Sequence, residues 1–256
     1  MSMILAVMYR EYRIRMTSMT WGFYDLLMPL AYLLIFGIGL NSAFTAGVDV
    51  AGTRIGYSAF FLGGVLSMAS FGIAINTSYG FFVDRDNGIF YEFLTYPMSR
   101  AEFLIGKILF NTMLSLVQAV LTIIASAVLL GVPVLWSRIV LVAIAQVCGT
   151  AGWFFFLTTF AIRIRRNDMF NTFLNVAYFL LMFGSSMFYP VDGSPAWLRY
   201  FSYANPLTWH TDVLRFATVG AGAPVTILLE AAAFLVFLGI SFVLAVQTIR
   251  DPLRSR

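Results

Sequence analysis

The stretch that decides the fold is Asp84–Lys107, DRDNGIFYEFLTYPMSRAEFLIGK. It holds seven charged side chains, Asp84, Arg85, Asp86, Glu92, Arg100, Glu102 and Lys107. On either side lie runs, 55–83 and 108–137, without a single Asp, Glu, Lys or Arg. Each run exceeds the ~20 residues that an α-helix needs to cross the ~30 Å apolar core of a bilayer. Lipid admits only helices or closed barrels, because every backbone N–H and C=O must find its partner inside the protein. Runs this long, without the period-two alternation of barrel strands, exclude a barrel. Charge-free runs recur at 26–48, 139–162, 169–191 and, interrupted only by Glu230, 216–249. The expectation is an all-α membrane protein with six transmembrane helices near 22–40, 57–80, 103–130, 139–161, 169–189 and 224–248.

Composition agrees. The chain has 256 residues, 60% hydrophobic and 11% charged, with a mean hydropathy of +0.85. Soluble domains average about 45–50% apolar and about 25% charged. The net charge of +4 does not point to nucleic acid, because the basic residues cluster at the ends of apolar runs. A single cysteine, Cys148, excludes an internal disulfide and a Cys-only metal site. The opening MSMILAVMYREYRIR carries its charges after a very short apolar stretch, with no small-residue cleavage site, and does not read as a signal peptide. One transmembrane domain, 1–256, is expected.

Orientation follows from Lys and Arg. With both termini cytoplasmic, inner segments carry twelve of them and outer segments only Arg54, Arg138, Arg199 and Arg215. The positive-inside rule therefore places 84–102 in the cytoplasm and both ends with it. In residues 1–20, Ile4, Leu5, Met8 and Tyr12 share one helical face and Arg10 and Arg13 another, the pattern of an interfacial helix on the inner leaflet.

Within 84–102, Asn87-Gly88 is a turn signal. A short helix is predicted from Ile89 to Tyr96, with Ile89, Phe90, Phe93 and Leu94 on one face and Glu92 on another. Pro97, lacking an amide hydrogen, stops it. Ser99-Arg100-Ala101-Glu102 then spells a capping box for the third span. The segment is a rigid helix–turn–helix, either a docking element or a well-capped connector. A second patterned stretch, 190–216, pairs Ser194 with Pro195 and Asn205 with Pro206, each reading as an N-cap followed by proline at the first helical position. Trp197, Tyr200, Tyr203 and Trp209 suit headgroup depth. The expectation is an external helical hairpin dipping into the outer leaflet; the plainer alternative is an aromatic-rich loop.

The order Arg85, Gly88, Glu92, Leu94, Pro97, Ser99, Arg100, Glu102, Gly106, Lys107 resembles the cytoplasmic signature of the type-2 ABC exporter permeases, with Ile89 and Tyr96 departing from it. Phe188, Pro190, Pro195, Trp197, Leu198, Asn205, Pro206, Leu207 and Arg215 resemble that family's external hairpin. The resemblance implies that 84–102 is a coupling helix seated in a groove of a cytoplasmic ABC ATPase, with Arg85, Asp86, Gly88, Phe90, Glu92, Phe93 and Pro97 as coupling residues. It implies two ATPase copies that bind ATP and Mg, a second permease copy or paralogue, and a multi-pass place in the cell (inner) membrane among its lipids. It further implies a translocation path between the second and fifth spans, with Phe71, Asn76, Asn175, Met182 and Ser185, for an amphiphilic drug, lipid or lipid-linked glycan.

No cofactor is expected in this chain and no activity of its own. Gly106-Lys107 is followed by Ile108, so no phosphate-binding loop forms, and no His/Cys/carboxylate cluster has metal spacing. Two other classes stay open. Ser186 with His210, the only histidine, would suit an intramembrane serine hydrolase if the pair met. Asp25 and Glu230, ionisable residues within spans, would suit an ATPase-independent channel or secondary carrier. Structural pairing is the expectation for both: Asp25 with Arg10 to Arg15, and Glu230 with Arg215 or His210. Gly63, Gly64, Gly72, Gly149 and Gly184, among others, permit close helix contact.

Overall fold

The structure, a computed structural model, describes residues 3–17, 19–44, 46–93 and 95–250. Leu94 and the last two arginines, Arg254 and Arg256, on which part of the sequence reading rests, lie outside the described residues. Among the described residues, ten α-helices and one small hairpin follow in order: α1 Met3–Thr17, α2 Met19–Ala43, β1 Val48–Val50, β2 Thr53–Ile55, α3 Tyr57–Asp86, α4 Ile89–Phe93, α5 Arg100–Leu130, α6 Ile139–Arg163, α7 Asn167–Phe183, α8 Ala196–Ala204, α9 Pro206–Val219 and α10 Pro224–Arg250. Among the described residues, four helical stretches are long and apolar enough to cross a membrane: Tyr57–Asp86, Arg100–Leu130, Trp136–Arg163 and Pro224–Ile249. The other two expected spans are helical but shorter in apolar reach. The apolar stretch of α2 is Leu27–Asn41, and α7 has 17 residues. At ~1.5 Å per residue, α7 covers only about 26 Å.

Helix α7 was expected to run on to about 189, but it stops at Phe183. Its last carbonyls are claimed from outside. Ser202 donates to Gly184 O at 2.8 Å, and Asn205 Nδ2 donates to Leu181 O at 2.7 Å and to Gly184 O at 3.2 Å. A helix end whose orphan acceptors are satisfied by side chains has no need of a further turn. Helix α3 errs the other way and continues to Asp86, so Asp84, Arg85 and Asp86 belong to its last turn and not to a loop.

Helix α3 is the axle of the bundle. Its buried residues run from Tyr57 to Asp84 and point in all directions, as expected of a helix surrounded by protein. It packs against α2, α5, α6 and α9. Phe71 meets Trp153 at 4.5 Å between ring centroids, and Phe82 stacks on Phe170 at 4.9 Å. Apolar burial gives little drive between helices already in lipid, so close van der Waals fit carries more of the load. Two glycines show this. A Cβ on Gly63 would stand 2.8–2.9 Å from the backbone and Cβ of Arg215, and one on Gly64 would stand 2.7 Å from Met187 O. Gly63→Ala should therefore destabilise the fold by about 1–3 kcal/mol. Gly72→Ala on the same helix meets nothing within 4 Å and should raise stability by up to ~1 kcal/mol. Thermal unfolding of the two variants in one detergent checks the opposite signs.

Helix α9 corrects the outer-loop expectation. Nine of its residues are buried, from Leu207 to Thr218, and it packs against α3, α6 and α10. Only α8 keeps the surface character foreseen for the hairpin, with Trp197 and Tyr200 about 70% exposed. Asn205 does cap α9, accepting from Leu207 N at 3.0 Å with Pro206 at the first position. Ser194 does not cap α8; Pro195 occupies the cap position, and Ser194 closes the 3-10 turn Val191–Gly193 through its N–H to Val191 O. The β1–β2 hairpin was not foreseen. Its two-residue loop places Ala51 at φ 51° and Gly52 at φ 82°, the paired positive angles of a tight hairpin turn.

Candidate functional site

The charged stretch that opened the sequence reading folds into a compact block at one end of the bundle. Helix α1 lies along the start of α5, at a spot where Gly106 leaves room; a Cβ there would be 2.8 Å from Val7 Cβ. This contact brings four charges together. Arg10 grips Asp84 with both guanidinium arms, Nη1 to Oδ2 at 3.0 Å and Nη2 to Oδ1 at 2.5 Å. Lys107 Nζ donates to Asp84 Oδ2 at 2.7 Å and to Glu11 Oε1 at 2.8 Å. Arg10 Nη1 also reaches Glu11 at 3.2 Å. Two cations and two carboxylates close a neutral tetrad across α1, α3 and α5. The Lys107, Asp84 and Glu11 side chains are only 2%, 7% and 8% exposed. Burial works against the Arg10 charge, but the Asp84 hydrogen bonds and the two carboxylates outweigh it and hold its pKa above the ordinary guanidinium value.

Helix α4 sits on this block. Gly88, at φ 80°, makes the turn out of α3 that a side chain would strain. Helix α4 is described over Ile89–Phe93, and the chain is in a turn by Thr95, short of the Tyr96 expected; the Thr95 N–H and hydroxyl both bond Glu92 O. Phe90 is buried between Phe81, at 5.2 Å, and Phe103, at 5.8 Å. Phe93 rests on Phe103 at 5.2 Å and lies under the Arg10 guanidinium at 5.6 Å. Tyr91, Glu92, Tyr96 and Pro97 are exposed on the other side. The Ser99–Glu102 capping box is present in full, with Ser99 Oγ accepting from Glu102 N at 3.1 Å and Glu102 Oε2 accepting from Ser99 N at 2.7 Å.

Two of the named coupling residues point away from the open face or flank it. Arg85 Nη1 donates to the carbonyls of Ala161, Ile162 and Ile164, at 2.5, 2.9 and 2.8 Å, closing the end of α6. Its guanidinium also lies 4.5 Å from the Phe82 ring, which stacks on Phe170 of α7. Asp86 is exposed. Nothing in the sequence placed Arg85 against α6, although an arginine one turn before a glycine turn is well placed to close a neighbouring helix end.

The remaining sequence candidates divide. Asn76 and Asn175 line one cavity of about 350 Å³ between α2, α3 and α7, together with Asp25, Met28, Tyr32 and Tyr178. Asn76 Nδ2 donates to Asp25 Oδ1 at 2.5 Å, and Arg15 Nη1 donates to Asp25 Oδ2 at 2.8 Å, so Asp25 takes the partner expected for it. Phe71 is buried behind that wall against Trp153 and Tyr178. Met182 and Ser185 lie buried at the end of α7, where Ser185 Oγ donates to Met182 O at 2.7 Å.

At the opposite end of the bundle, Arg215 is 2% exposed. Its Nε donates to Phe60 O at 3.0 Å, Nη2 to Ser186 O at 2.7 Å, and Nη1 to Asp212. Glu230 lines the same cavity, about 300 Å³, as Arg215 and Asp212, without a hydrogen bond to either. The Ser186–His210 pair does not form. Ser186 Oγ donates to Asp212 Oδ1 at 2.8 Å. His210 faces Ala145 O through Nε2 at 3.1 Å, so that nitrogen carries the proton, and Nδ1 accepts from Ser67 Oγ at 2.8 Å. His210 and Ser67 are 1% and 0% exposed.

Fold and site together define an all-α, multi-pass membrane protein with a capped helical knob on a buried ionic base. The profile of the ABC-2 type transporter family matches residues 3–219, and the chain belongs to that family. It is 29% identical over 203 residues to the transport permease ycf38 of Cyanophora paradoxa and 25% identical over 192 residues to that of Porphyra purpurea. Each match covers 75% of this chain and 65% of the relative, so the chain spans just under two thirds of the length of these relatives.

Proposed function

We propose that this chain is the membrane-spanning subunit of an ATP-driven exporter, with α4 as the element on which a cytoplasmic ATPase seats. The observation that carries this reading is the two-sidedness of α4. Its inner face is locked by Phe81, Phe103 and Arg10, while Tyr91 and Glu92 on its other face, and Tyr96 and Pro97 just after it, are bare. A connector with no partner has no use for so stiff a mount. The tetrad and the capping box make α1, the end of α3 and the start of α5 move as one body, and Arg85 extends that body to the α6–α7 junction. Force on α4 would thereby reach α7, which walls the cavity holding Asn76 and Asn175. In this reading two ATPase copies bind the ATP and Mg and a second permease copy or paralogue completes the path. An amphiphilic drug, lipid or lipid-linked glycan leaves through it, with both termini and α4 on the cytoplasmic side of the cell membrane.

Glu92→Arg tests it. Glu92 is exposed and makes no ion pair among the described residues, so unfolding should shift by no more than ~0.5 kcal/mol. Reversing a charge at a docking surface should lower transport about tenfold or more. The measurement is transport and ATP hydrolysis in liposomes holding the variant with the ATPase that co-purifies with it. Transport at the parent rate rejects α4 as the coupling element.

A further inference from the structure

Six polar residues climb one face of α5: Lys107, Asn111, Ser115, Gln118, Thr122 and Ser126. Steps of four, four, three, four and four keep them in line on an α-helix. All six are buried, none more than 1% exposed. The lower half of this seam is satisfied. Lys107 belongs to the tetrad, and Asn111 donates to Lys107 O at 3.0 Å and accepts from Arg15 at 3.2 Å. Ser115 accepts from Gln146 Nε2 at 2.9 Å and from Thr150 Oγ1 at 2.8 Å on α6. Above Ser115 the pattern breaks. Both ends of the Gln118 carboxamide, the Thr122 hydroxyl and Gln146 Oε1 have no hydrogen-bond partner among the described residues.

A carboxamide offers two donors and two acceptor lone pairs, and a hydroxyl offers both kinds. Buried polar groups in folded proteins are nearly always bonded, to protein or to ordered water. We propose that the upper seam, around Gln118, Thr122 and Gln146, is an internal hydration site that holds ordered water between α5 and α6. Water is the ligand that the chemistry selects. The unmet groups include donors at Gln118 Nε2 and acceptors at Gln118 Oε1 and Gln146 Oε1, and a bound ion would serve only one kind. The polar side chains of α5 above Lys107 are all neutral, so no charge on that seam would balance an ion. Water bridging two or more such groups turns a costly gap into a bonded contact. It also lets α5 and α6 exchange hydrogen-bond partners without separating.

The chain has three glutamines, Gln118, Gln146 and Gln247, and Gln247 is exposed on α10. The full-length protein, labelled with glutamine carrying ¹⁵N in its side chain and placed in bilayers of deuterated lipid, gives one side-chain amide signal from each. Water-edited solid-state NMR then selects amides in contact with water, and Gln247 serves as the internal positive. The expected result is water transfer to Gln118 as well as to Gln247. Gln118→Met, which keeps the volume, identifies the Gln118 signal by its loss. Should that variant not fold, Gln146→Met and Gln247→Glu identify the other two signals and leave Gln118 by difference. Transfer to Gln118 upholds the site whether or not Gln146 also receives it. A Gln118 amide that stays dark while Gln247 is bright overturns the proposal.

Discussion

Lys107→Met should unfold this protein more readily than any other single change at the α4 end, at a cost of about 3–5 kcal/mol, because removing one partner from a buried charge cluster strands the rest. Lys107 is 1% exposed and its ammonium bridges Asp84 and Glu11. Without it Arg10 alone must balance two carboxylates, and the block carries a net negative charge in a place with little water. The methionine fills the volume, so lost packing adds little. Adding Glu11→Leu should restore most of the loss. The double variant keeps the two-armed Arg10–Asp84 pair and is neutral again, and a buried ion pair exchanged for apolar groups of similar size is often neutral or better. Thermal unfolding in detergent of the parent, both single variants and the double variant closes the cycle and isolates the coupling between positions 11 and 107. A Lys107→Met protein that melts with the parent would mean that headgroup water reaches the tetrad and that the block is not locked by charge.

The pieces of this block differ in how far they could be read from the chain. The capping box was legible because Ser99 and Glu102 are three residues apart, and the two bonds follow from local geometry alone. Asp25 with Arg15 was legible for a related reason, since ten residues of sequence keep them near one membrane surface. The tetrad was not. It needs α3 to stay helical to Asp86 and α1 to lie across Gly106, and both depend on packing that no window of sequence contains. Ser194-Pro195 and Asn205-Pro206 make the same point from one dipeptide pattern. Asn205 caps α9 while its amide also holds the end of α7, whereas Ser194 stands one residue before the cap position of α8, which Pro195 fills. The burial of α9 had a faint signal, small and apolar residues at Leu207, Thr211, Leu214 and Thr218, that the aromatic residues of α8 next to it concealed. The hairpin at 48–55 is shorter than the strands that alternation usually reveals, and Val48, Val50 and the Ala51-Gly52 pair were its only marks.

Arg215→Leu should be comparably damaging at the far end, again by about 3–5 kcal/mol, for a reason that packing alone would not give. The guanidinium is the one cation among the described residues lining a cavity that also presents Asp49, Asp192, Asp212 and Glu230. It feeds the carbonyls of Phe60 and Ser186, neutralises Asp212, and lies 4.0 Å from the centre of the Phe60 ring. Leucine withdraws a donor from the buried Ser186 carbonyl and leaves Asp212 without its cation. Arg215→Lys should fall between leucine and the parent, since an ammonium keeps the charge but cannot present a planar fork to three acceptors at once. Asp212→Asn in the leucine background should recover part of the loss by removing the stranded charge. Melting in detergent ranks the four proteins. A second readout follows α9 itself: with Cys148→Ser to remove the native thiol, Thr211→Cys places a reporter at a position 0% exposed. Maleimide should label it slowly in the parent and at least tenfold faster with Arg215→Leu, since each ~1.4 kcal/mol lost to local opening multiplies the open population tenfold. Equal labelling rates, with equal melting, would show that α9 is held by its apolar face and that the arginine is not its anchor.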